Sequence, residues 1–246
     1  YADRDHYVGD PDFVPVPATG LIDPGYLRDR ALLVKPEKSM IRALPGTPAG
    51  APKALGTDAT VESSGTSHLS IIDAAGNAVA MTSSIESAFG SRILVHGFLL
   101  NNELTDFSFL PEEGGLPVAN RVGPGKRPRS AMAPTLAFTP GGALMMALGA
   151  AGGPAIINYT ARTLIGVLDW RLSLQQAIAA PNMGSRNRET EIELGSALES
   201  VAAALRALGH PVEAVQMVSG LHGIMRTPRG LAGGADPRRE GIVLSE

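Results

Sequence analysis

Residues 65–85 read GTSHLSIIDAAGNAVAMTSSI, and this stretch decides the fold class. Polar and hydrophobic side chains alternate over residues 66–72, which is the pattern of a half-buried β-strand. Residues 73–77 favour a tight turn, and a second strand pattern follows over 78–85. The stretch therefore predicts a β-hairpin that begins where an irregular segment ends.

Hairpins come first along this part of the chain, helices lie in the middle and strands return near the end. The other predicted elements are a strand at 93–101, hairpin strands at 135–138 and 143–148, helices at 154–169, 174–180 and 197–208, and closing strands at 212–217, 221–226 and 230–232. Because strands and helices are grouped rather than alternating, this order predicts an α+β fold.

The first 65 residues differ in composition from the rest. Only residues 23–33 have a helical pattern, with Asp23 as the N-cap and Pro24 at the first helical position. Residues 35–65 are rich in Pro, Gly, Ala, Ser and Thr, which is typical of an extended, mobile linker. The chain begins at Tyr1 without an initiator Met or a signal peptide, so we expect a piece of a longer protein.

Composition excludes several classes of function. The 246 residues are 44% hydrophobic, which is enough for one large domain or two small ones. Basic and acidic residues number 21 and 24, and this balance argues against a nucleic-acid partner. Cys is absent, which excludes disulfides and a cysteine nucleophile.

The five His residues lack metal-ligand spacing, and no apolar stretch reaches the ~20 residues that span a membrane. We expect no metal, no cofactor and no membrane segment.

Two interpretations of the Gly65–Thr66 pair are open from the residues alone. A threonine hydroxyl can act as a nucleophile when its own α-amine is the base, which requires cleavage of the 65–66 bond. In the other interpretation, the Ser and Thr residues only begin a strand.

The small residues GAAGGP at 149–154 also allow two interpretations. Backbone N–H groups at the start of a helix can hold a phosphate or stabilise an oxyanion, because the helix dipole favours negative charge there. The same residues also suit a tight turn with Pro154 at the first helical position.

Two charged clusters complete the candidate chemistry. Glu103 and Asp106 lie where a predicted strand ends, so they can recognise a cationic amine or simply form a solvated turn. The segment GKRPRS at 125–130 has three cations in five residues, which predicts an exposed surface loop.

The predicted hairpin resembles the start of the small subunit of the γ-glutamyltranspeptidase family. Residues 1–17 resemble the end of that family's large subunit, so the resemblance covers nearly the whole chain. The other blocks that carry the resemblance are FGS at 89–91, LLNNE at 99–103, DFS at 106–108, GPGKRP at 123–128 with Ser130 and Met132, GG at 152–153 and GADPR at 234–238.

This family belongs to the N-terminal nucleophile hydrolases. The resemblance therefore implies a four-layer αββα sandwich, partial here because most of the large subunit is absent. It also implies that the precursor cuts itself between Gly65 and Thr66. The cut divides the chain into a large-subunit remnant with a linker at 1–65 and a small-subunit-like catalytic domain at 66–246.

The resemblance assigns the reaction chemistry to four residues. Thr66 is implied as the nucleophile, with its freed amine as the base. Ser84 stands where the family has a second Thr that supports the nucleophile, so a hydroxyl is retained. Gly152 and Gly153 match the oxyanion-hole pair of the family.

The resemblance assigns substrate recognition to a second group of residues. Glu103 and Asp106 match residues that hold the α-ammonium of the substrate, and Ser130 matches one of two serines near its α-carboxylate. Glu86 stands where many members have Asn, and Ala131 replaces the second serine. These two departures resemble an acylase-like branch that includes relatives of cephalosporin acylase.

The expected activity is amide hydrolysis or acyl transfer on γ-glutamyl amides such as glutathione, through a threonine acyl-enzyme. Two alternatives are an acylase, or a truncated and unprocessed relative that is weakly active or inactive and serves as a binding or structural module. A large subunit or a homo-oligomer is the expected partner, because an apolar face would otherwise be exposed. Family members are often periplasmic or secreted, but nothing in these residues fixes the compartment.

Overall fold

A computed structural model describes residues 1–60 and 65–245. Positions 61–64 of the predicted linker and residue 246 of the predicted second domain lie outside the described residues. The α-helices of the described part are α1 (Ala2–Tyr7), α2 (Ala18–Leu21), α3 (Pro24–Ala31), α4 (Ile156–Leu168), α5 (Leu174–Ala179) and α6 (Ala202–Ala207). Short 3-10 turns occur at Glu103–Asp106, Gly153–Ala155 and Ala197–Val201.

The strands of the described residues fall into one four-stranded sheet, one three-stranded sheet and three separate hairpins. They are β1 (Thr66–Ile72), β2 (Ala78–Ser84), β3 (Leu94–Val95), β4 (Phe98–Leu99), β5 (Glu112–Glu113), β6 (Leu116–Pro117), β7 (Thr135–Phe138), β8 (Leu144–Gly149), β9 (Met183–Ser185), β10 (Thr190–Glu193), β11 (Val212–Val215), β12 (His222–Thr227) and β13 (Gly230–Ala235).

The central sheet has the strand order β13-β12-β8-β7, and all of its pairs are antiparallel. Its most buried strand is β8, whose last four residues are fully enclosed. The predicted β1–β2 hairpin is confirmed, and it packs face to face on this sheet against β8 and β12. This arrangement places the start of β1 over the end of β8.

Helices α4 and α5 cover the other face of the sheet. Buried residues of α4 recur at three- and four-residue spacing, as an amphipathic helix requires, and they include Ile156 and Tyr159. Together with Leu148, Ile178 and Leu221 they form the main core, where each fully buried side chain contributes roughly 1.5–3 kcal/mol. None of the described helices is long and apolar enough to cross a membrane.

The described residues therefore form three layers: helices, the four-stranded sheet and the β1–β2 hairpin. The four-layer sandwich expected from the sequence is not complete in this part of the chain. The outer face of the hairpin carries Leu69, Ile71, Val79 and Met81, each between 39% and 53% exposed. An antiparallel sheet with one solvated face normally turns its apolar side inward, so the expected exposed apolar face is present here.

The second half of the chain contains a parallel pair that the sequence did not predict. Strands β10 and β11 are parallel and joined through α6, and β9 pairs antiparallel with β10. The grouped order of strands and helices therefore has one βαβ exception. Both β9 and β10 were missed because they have only three and four residues.

The N-terminal 60 residues contain α1 and α2, which were not predicted, besides the predicted α3, and the described residues after α3 are not a free linker. Helix α3 begins as expected, since the Asp23 carboxylate accepts a 2.9 Å hydrogen bond from the Tyr26 N–H. Beyond it, the Ser39 N–H donates to the Leu208 carbonyl at 2.7 Å. The Gly46 N–H donates to the Asp3 carboxylate at 2.7 Å. The first bond fastens the segment to the end of α6 and the second fastens it to α1, so its prediction as mobile was wrong for the described residues.

The strand predicted at 93–101 is also wrong, because the chain reverses within it. Strands β3 and β4 have two residues each and pair with one another. His96 and Gly97 between them have φ values of 49° and 89°, which only a tight turn accommodates.

Candidate active site

Thr66 and Ser84 are brought together by the register of the hairpin. They are directly opposite each other at the open end of β1 and β2. The Thr66 side chain is buried, and its Oγ1 donates to the Ser84 Oγ at 3.3 Å. The strand pairing itself therefore places the second hydroxyl beside the candidate nucleophile.

The carbonyl of Gly65 lies in the same corner of the molecule. It accepts hydrogen bonds from the Ser84 Oγ at 3.3 Å and from the Ile85 N–H at 3.4 Å. A Cβ at position 65 would lie 2.3 Å from the Glu86 carbonyl oxygen, so this close approach requires a glycine. In the uncut chain the nitrogen of Thr66 is an amide, which cannot act as a base.

Three acidic residues, Glu86, Glu103 and Asp106, line the pocket beside Thr66 and are called the acidic wall below. Glu86 follows β2 in the left-handed region, with a φ of 69°, and its side chain is buried. Its carboxylate accepts hydrogen bonds from the Ser87 hydroxyl at 2.6 Å and from the Asn102 amide. Glu103 and Asp106 lie on the 3-10 turn that follows. The Glu103 Oε1 is buried and has no hydrogen-bond partner among the described residues, so it is available to a cationic ligand.

The opposite wall is formed where β8 runs into α4. Gly152 and Gly153 have φ values of 117° and 57°, which residues with a side chain rarely adopt. A Cβ on Gly152 would lie 2.6 Å from the Tyr159 ring. The 13-residue helix α4 begins directly afterwards, so its N-terminal dipole favours negative charge at this wall.

One small pocket collects nearly all residues that the sequence singled out. It is lined by Thr66, Ser84, Glu86, Glu103, Asp106, Ser130, Ala131, Met132, Gly153 and Ile156. Gly152 does not line the pocket but adjoins it. Ser130 is exposed at the rim, and its Oγ accepts a hydrogen bond from the Met132 N–H at 3.1 Å. The lining contains three carboxylates and no Lys or Arg from the described part of the chain, so it favours a cationic group.

His68 is close to Thr66 in sequence but does not have the surroundings of a general base. Its ring packs between the hairpin and Gly149, with hydrogen bonds to the Thr82 and Ser70 hydroxyls at 2.8 and 3.1 Å. Burial and the nearby His222 lower the pKa of His68 to about 4. Over residues 1–60 and 65–245, no group of three or more His, Asp or Glu side chains is arranged to hold a metal ion.

The basic loop at 125–130 was predicted to be a surface loop, and this is wrong for Arg129. Its guanidinium is buried and lies 3.3 Å from Asp5 and 3.4 Å from Asp58. The exposed Arg127 pairs with the buried Asp10 at 3.0 Å. These cations bind carboxylates that lie far upstream, so the loop fastens the N-terminal segment to the body.

Asp236, Arg238 and Arg239, near the C-terminal end of the chain, were given no role from the sequence. Arg239 contacts the site directly, and the other two support its position. Asp236 is buried, and burial tends to raise its pKa. Hydrogen bonds from Ser219, the Leu221 N–H and Arg238 outweigh this effect and lower it. The Arg239 Nη1 donates to the Thr66 carbonyl at 3.1 Å. The Arg-Arg pair after the GADP block was the signal available in the sequence.

Comparison with protein families finds one model, described as Gamma-glutamyltranspeptidase, that matches residues 1–245. The glutathione hydrolase proenzyme of Pseudomonas sp. strain A14 is 37% identical over 74% of this chain and 31% of its own length. That of Pseudomonas aeruginosa is 34% identical over 99% of this chain and 44% of its own length. The acylase ACY 1 proenzyme of Pseudomonas sp. strain SE83 is 33% identical over all of this chain and 41% of its own length.

Solved structures point the same way. Cephalosporin acylase from Bacillus halodurans superposes with a TM-score of 0.79 at 26% identity, over 96% of this chain and 41% of that one. The γ-glutamyltranspeptidase from Pseudomonas nitroreducens complexed with L-DON gives a TM-score of 0.65 at 30% identity, over 73% of this chain and 99% of that one. The chain spans less than half the length of these curated relatives.

Proposed function

Since the chain belongs to the γ-glutamyltranspeptidase family, we propose that it carries the nucleophile of an amidohydrolase or acyltransferase that becomes active by cutting itself before Thr66. One observation carries this proposal. A single pocket joins a buried threonine, a second hydroxyl, an acidic wall and a glycine turn at the start of a helix.

Self-cleavage is the first proposed step. The Thr66 Oγ attacks the Gly65 carbonyl carbon, and the C–N bond between the two residues breaks as the ester forms. The Ser84 hydroxyl and the Ile85 N–H already donate to the carbonyl oxygen that becomes negatively charged. The hydroxyl proton passes to the leaving nitrogen, so this step already frees the α-amine of Thr66. Water then hydrolyses the ester, which releases the carboxylate of Gly65 and restores the Thr66 hydroxyl. The proposed products are residues 1–65 and the catalytic unit 66–246.

Amide cleavage follows in the processed protein. The α-amine of Thr66 takes the proton from the hydroxyl, and Oγ attacks the substrate carbonyl. The N–H groups of Gly152 and Gly153 stabilise the oxyanion, a contribution of roughly 10²–10³ in rate per donor in other enzymes. The ammonium passes its proton to the leaving amine, and the acyl ester on Thr66 is resolved by water or by an acceptor amine.

The acidic wall suggests the substrate class. We propose that Glu103 and Asp106 bind the α-ammonium of a γ-glutamyl amide such as glutathione, and that Ser130 lies near its α-carboxylate. Glu86 adds a third carboxylate beside the head group, and two like charges ~4 Å apart repel each other by about 1 to several kcal/mol, depending on exposure. A cation for that carboxylate would come from outside the described residues.

The exposed face of the hairpin suggests the partner. A large subunit that packs helices on Leu69, Ile71, Val79 and Met81 would bury this apolar surface and supply the fourth layer of the sandwich. A homo-oligomer that covers the same face is the alternative.

An acylase is the second candidate function. Glu86 and Ala131 replace the residues expected at the amino-acid head group, and two of the relatives are named as acylases. An acylase in this pocket would release an acyl group that lacks one charge of the γ-glutamyl group.

Three matched p-nitroanilides distinguish the candidates. The γ-glutamyl substrate carries both charges, the 4-aminobutyryl substrate lacks the carboxylate, and the glutaryl substrate lacks the ammonium. Hydrolysis of the first two in preference to the third supports ammonium recognition by the acidic wall. Preference for the glutaryl amide supports the acylase instead.

Variants of the first two β1 residues provide the control. Thr66→Ala removes the candidate nucleophile, whereas Ser67→Ala removes an exposed hydroxyl one residue later. We expect Thr66→Ala to abolish hydrolysis and Ser67→Ala to retain it. Normal turnover by Thr66→Ala contradicts the mechanism, and a wild-type chain that stays uncut and shows no turnover supports the unprocessed binding module.

A further inference from the structure

The C-terminal segment reaches the candidate nucleophile through a single arginine. The Arg239 Nη1 donates to the backbone carbonyl of Thr66 at 3.1 Å, although 173 positions separate the two residues. Arg239 is half-buried, and its guanidinium brings a positive charge to this contact. After cleavage Thr66 would be the first residue of the second fragment, so this hydrogen bond acts directly on the residue that carries the nucleophile.

The residues before Arg239 hold it in place rigidly. Arg238 binds Glu193 at 2.7 Å and Asp236 at 2.9 Å. The same guanidinium donates to the carbonyls of residues 178–180 at the end of α5. This network holds the backbone next to Arg239 and thereby orients the Arg239 side chain toward Thr66.

The loop between β11 and β12 leaves room for the side chain. Gly220 has a φ of 49°, and a Cβ there would lie 2.9 Å from the Cδ of Arg239. A side chain at this position would be strained and would also displace the arginine stem.

We propose that Arg239 is a positioning residue that holds the Thr66 carbonyl and places a fixed positive charge beside the α-amine released by cleavage. This proposal rests on the proposed function, since the amine exists only in the processed chain. Once the 65–66 bond is cut, Thr66 is no longer bonded to Gly65. Its pairing with Ser84 and its hydrogen bond from Arg239 then keep it in register.

The charge also matters for the base. An unperturbed α-amine has a pKa of about 7.7–8.0, and only its neutral form accepts the hydroxyl proton. A nearby guanidinium disfavours the ammonium form, whereas the carboxylates of the acidic wall favour it. The charged or titratable groups around Thr66 are Glu86, Glu103 and Asp106 on the pocket side and His68, His222, Arg239 and Glu240 on the other.

The pH dependence of kcat/KM tests the role of the charge. Without the guanidinium the amine is protonated over a wider pH range, so the acid limb of the profile moves to higher pH. We expect Arg239→Gln to lose roughly tenfold in kcat/KM on the acid limb for each unit of that movement, with a smaller loss above it. Arg239→Lys keeps the charge and is expected to keep the wild-type limb, and Arg229→Gln is the matched control at an exposed arginine. An equal loss at every pH, or an unmoved limb, overturns the proposal.

A second measurement needs no catalysis. Threonine labelled with ¹³C at the carbonyl reports the hydrogen bond to Thr66 by NMR. Its signal is expected to move in Arg239→Gln and to stay in Arg229→Gln, and an unmoved signal in both overturns the contact. If the wild-type chain is neither cut nor active, the proposed function fails and the role of Arg239 fails with it. A moved signal then shows that the contact itself was correct.

Discussion

Acidification from pH 7 to pH 5 is predicted to destabilise the chain by protonating His68. His68 is only 9% exposed, and its ring packs against the backbone of β8 at Gly149. Because burial and His222 lower its pKa from 6.5 to about 4, the native state resists a proton that the unfolded chain accepts. Between the two pKa values the unfolded state binds more protons than the folded state, so the free energy of unfolding falls as the pH falls.

The magnitude follows from the two pKa values. A His68 pKa of about 4 in the folded state and 6.5 in the unfolded state lowers the free energy of unfolding by about 2 kcal/mol at pH 5 and about 3 kcal/mol at pH 4. Typical domains have only about 5–15 kcal/mol of stability, so this loss is easily measured. The effect is absent above pH 7, where both states are neutral at this ring.

Urea unfolding of the wild type and His68→Gln at pH 7, 6 and 5 isolates this contribution. Groups that do not interact with His68 contribute equally in both proteins, so the difference between their free energies of unfolding reports His68 and its interactions. We expect the wild type to lose about 2 kcal/mol relative to the variant between pH 7 and pH 5. His96→Gln, at an exposed histidine, is the control and should follow the wild type. A difference that does not change with pH refutes the buried, neutral imidazole.

Three further predictions concern the support of the site. Arg129→Met should lower the free energy of unfolding by about 3 kcal/mol, because it leaves Asp58 buried without its cation; adding Asp58→Asn should restore part of the loss in urea titrations. Gly152→Ala should cost about 1–3 kcal/mol from backbone strain and contact with an aromatic ring, together with hydrolysis, whereas Gly142→Ala has open space and should lose less in thermal unfolding. Gly65→Ala should slow self-cleavage in a time course of intact mass, since its Cβ meets a backbone carbonyl at 2.3 Å; cleavage at the wild-type rate contradicts this.

The elements that sequence reasoning found are those with strong local patterns. The β1–β2 hairpin has alternation and a turn sequence, and α4 has a sustained helical period after Pro154. The turn at His96–Gly97 was missed because it interrupts a run of hydrophobic residues that resembles one strand. Its signal was the single glycine in that run.

Long-range partners explain the other misses. Arg129 belongs to a loop of surface composition, and its burial depends on carboxylates more than 70 positions upstream that no local pattern reveals. The segment at 35–60 has a linker-like composition, but hydrogen bonds to distant residues fix it in place.

The site itself was predicted from the family resemblance rather than from spacing. Residue patterns alone left Thr66 as either a nucleophile or the start of a strand, and the glycine turn as either an oxyanion site or a tight turn. The resemblance chose between these interpretations. The structure brings the chosen residues around one pocket, although their chemical roles stay predictions. Arg239 was missed because nothing local links it to Thr66.

The state of the Gly65–Thr66 bond tests the central claim most directly. Intact-mass analysis and N-terminal sequencing of the purified chain should show two fragments of 65 and 181 residues, the second beginning at Thr66. Ser67→Ala should be cut in the same way, and Thr66→Ala should remain whole. A wild-type chain that stays at 25.5 kDa, or a Thr66→Ala chain that is still cut before residue 66, contradicts the account.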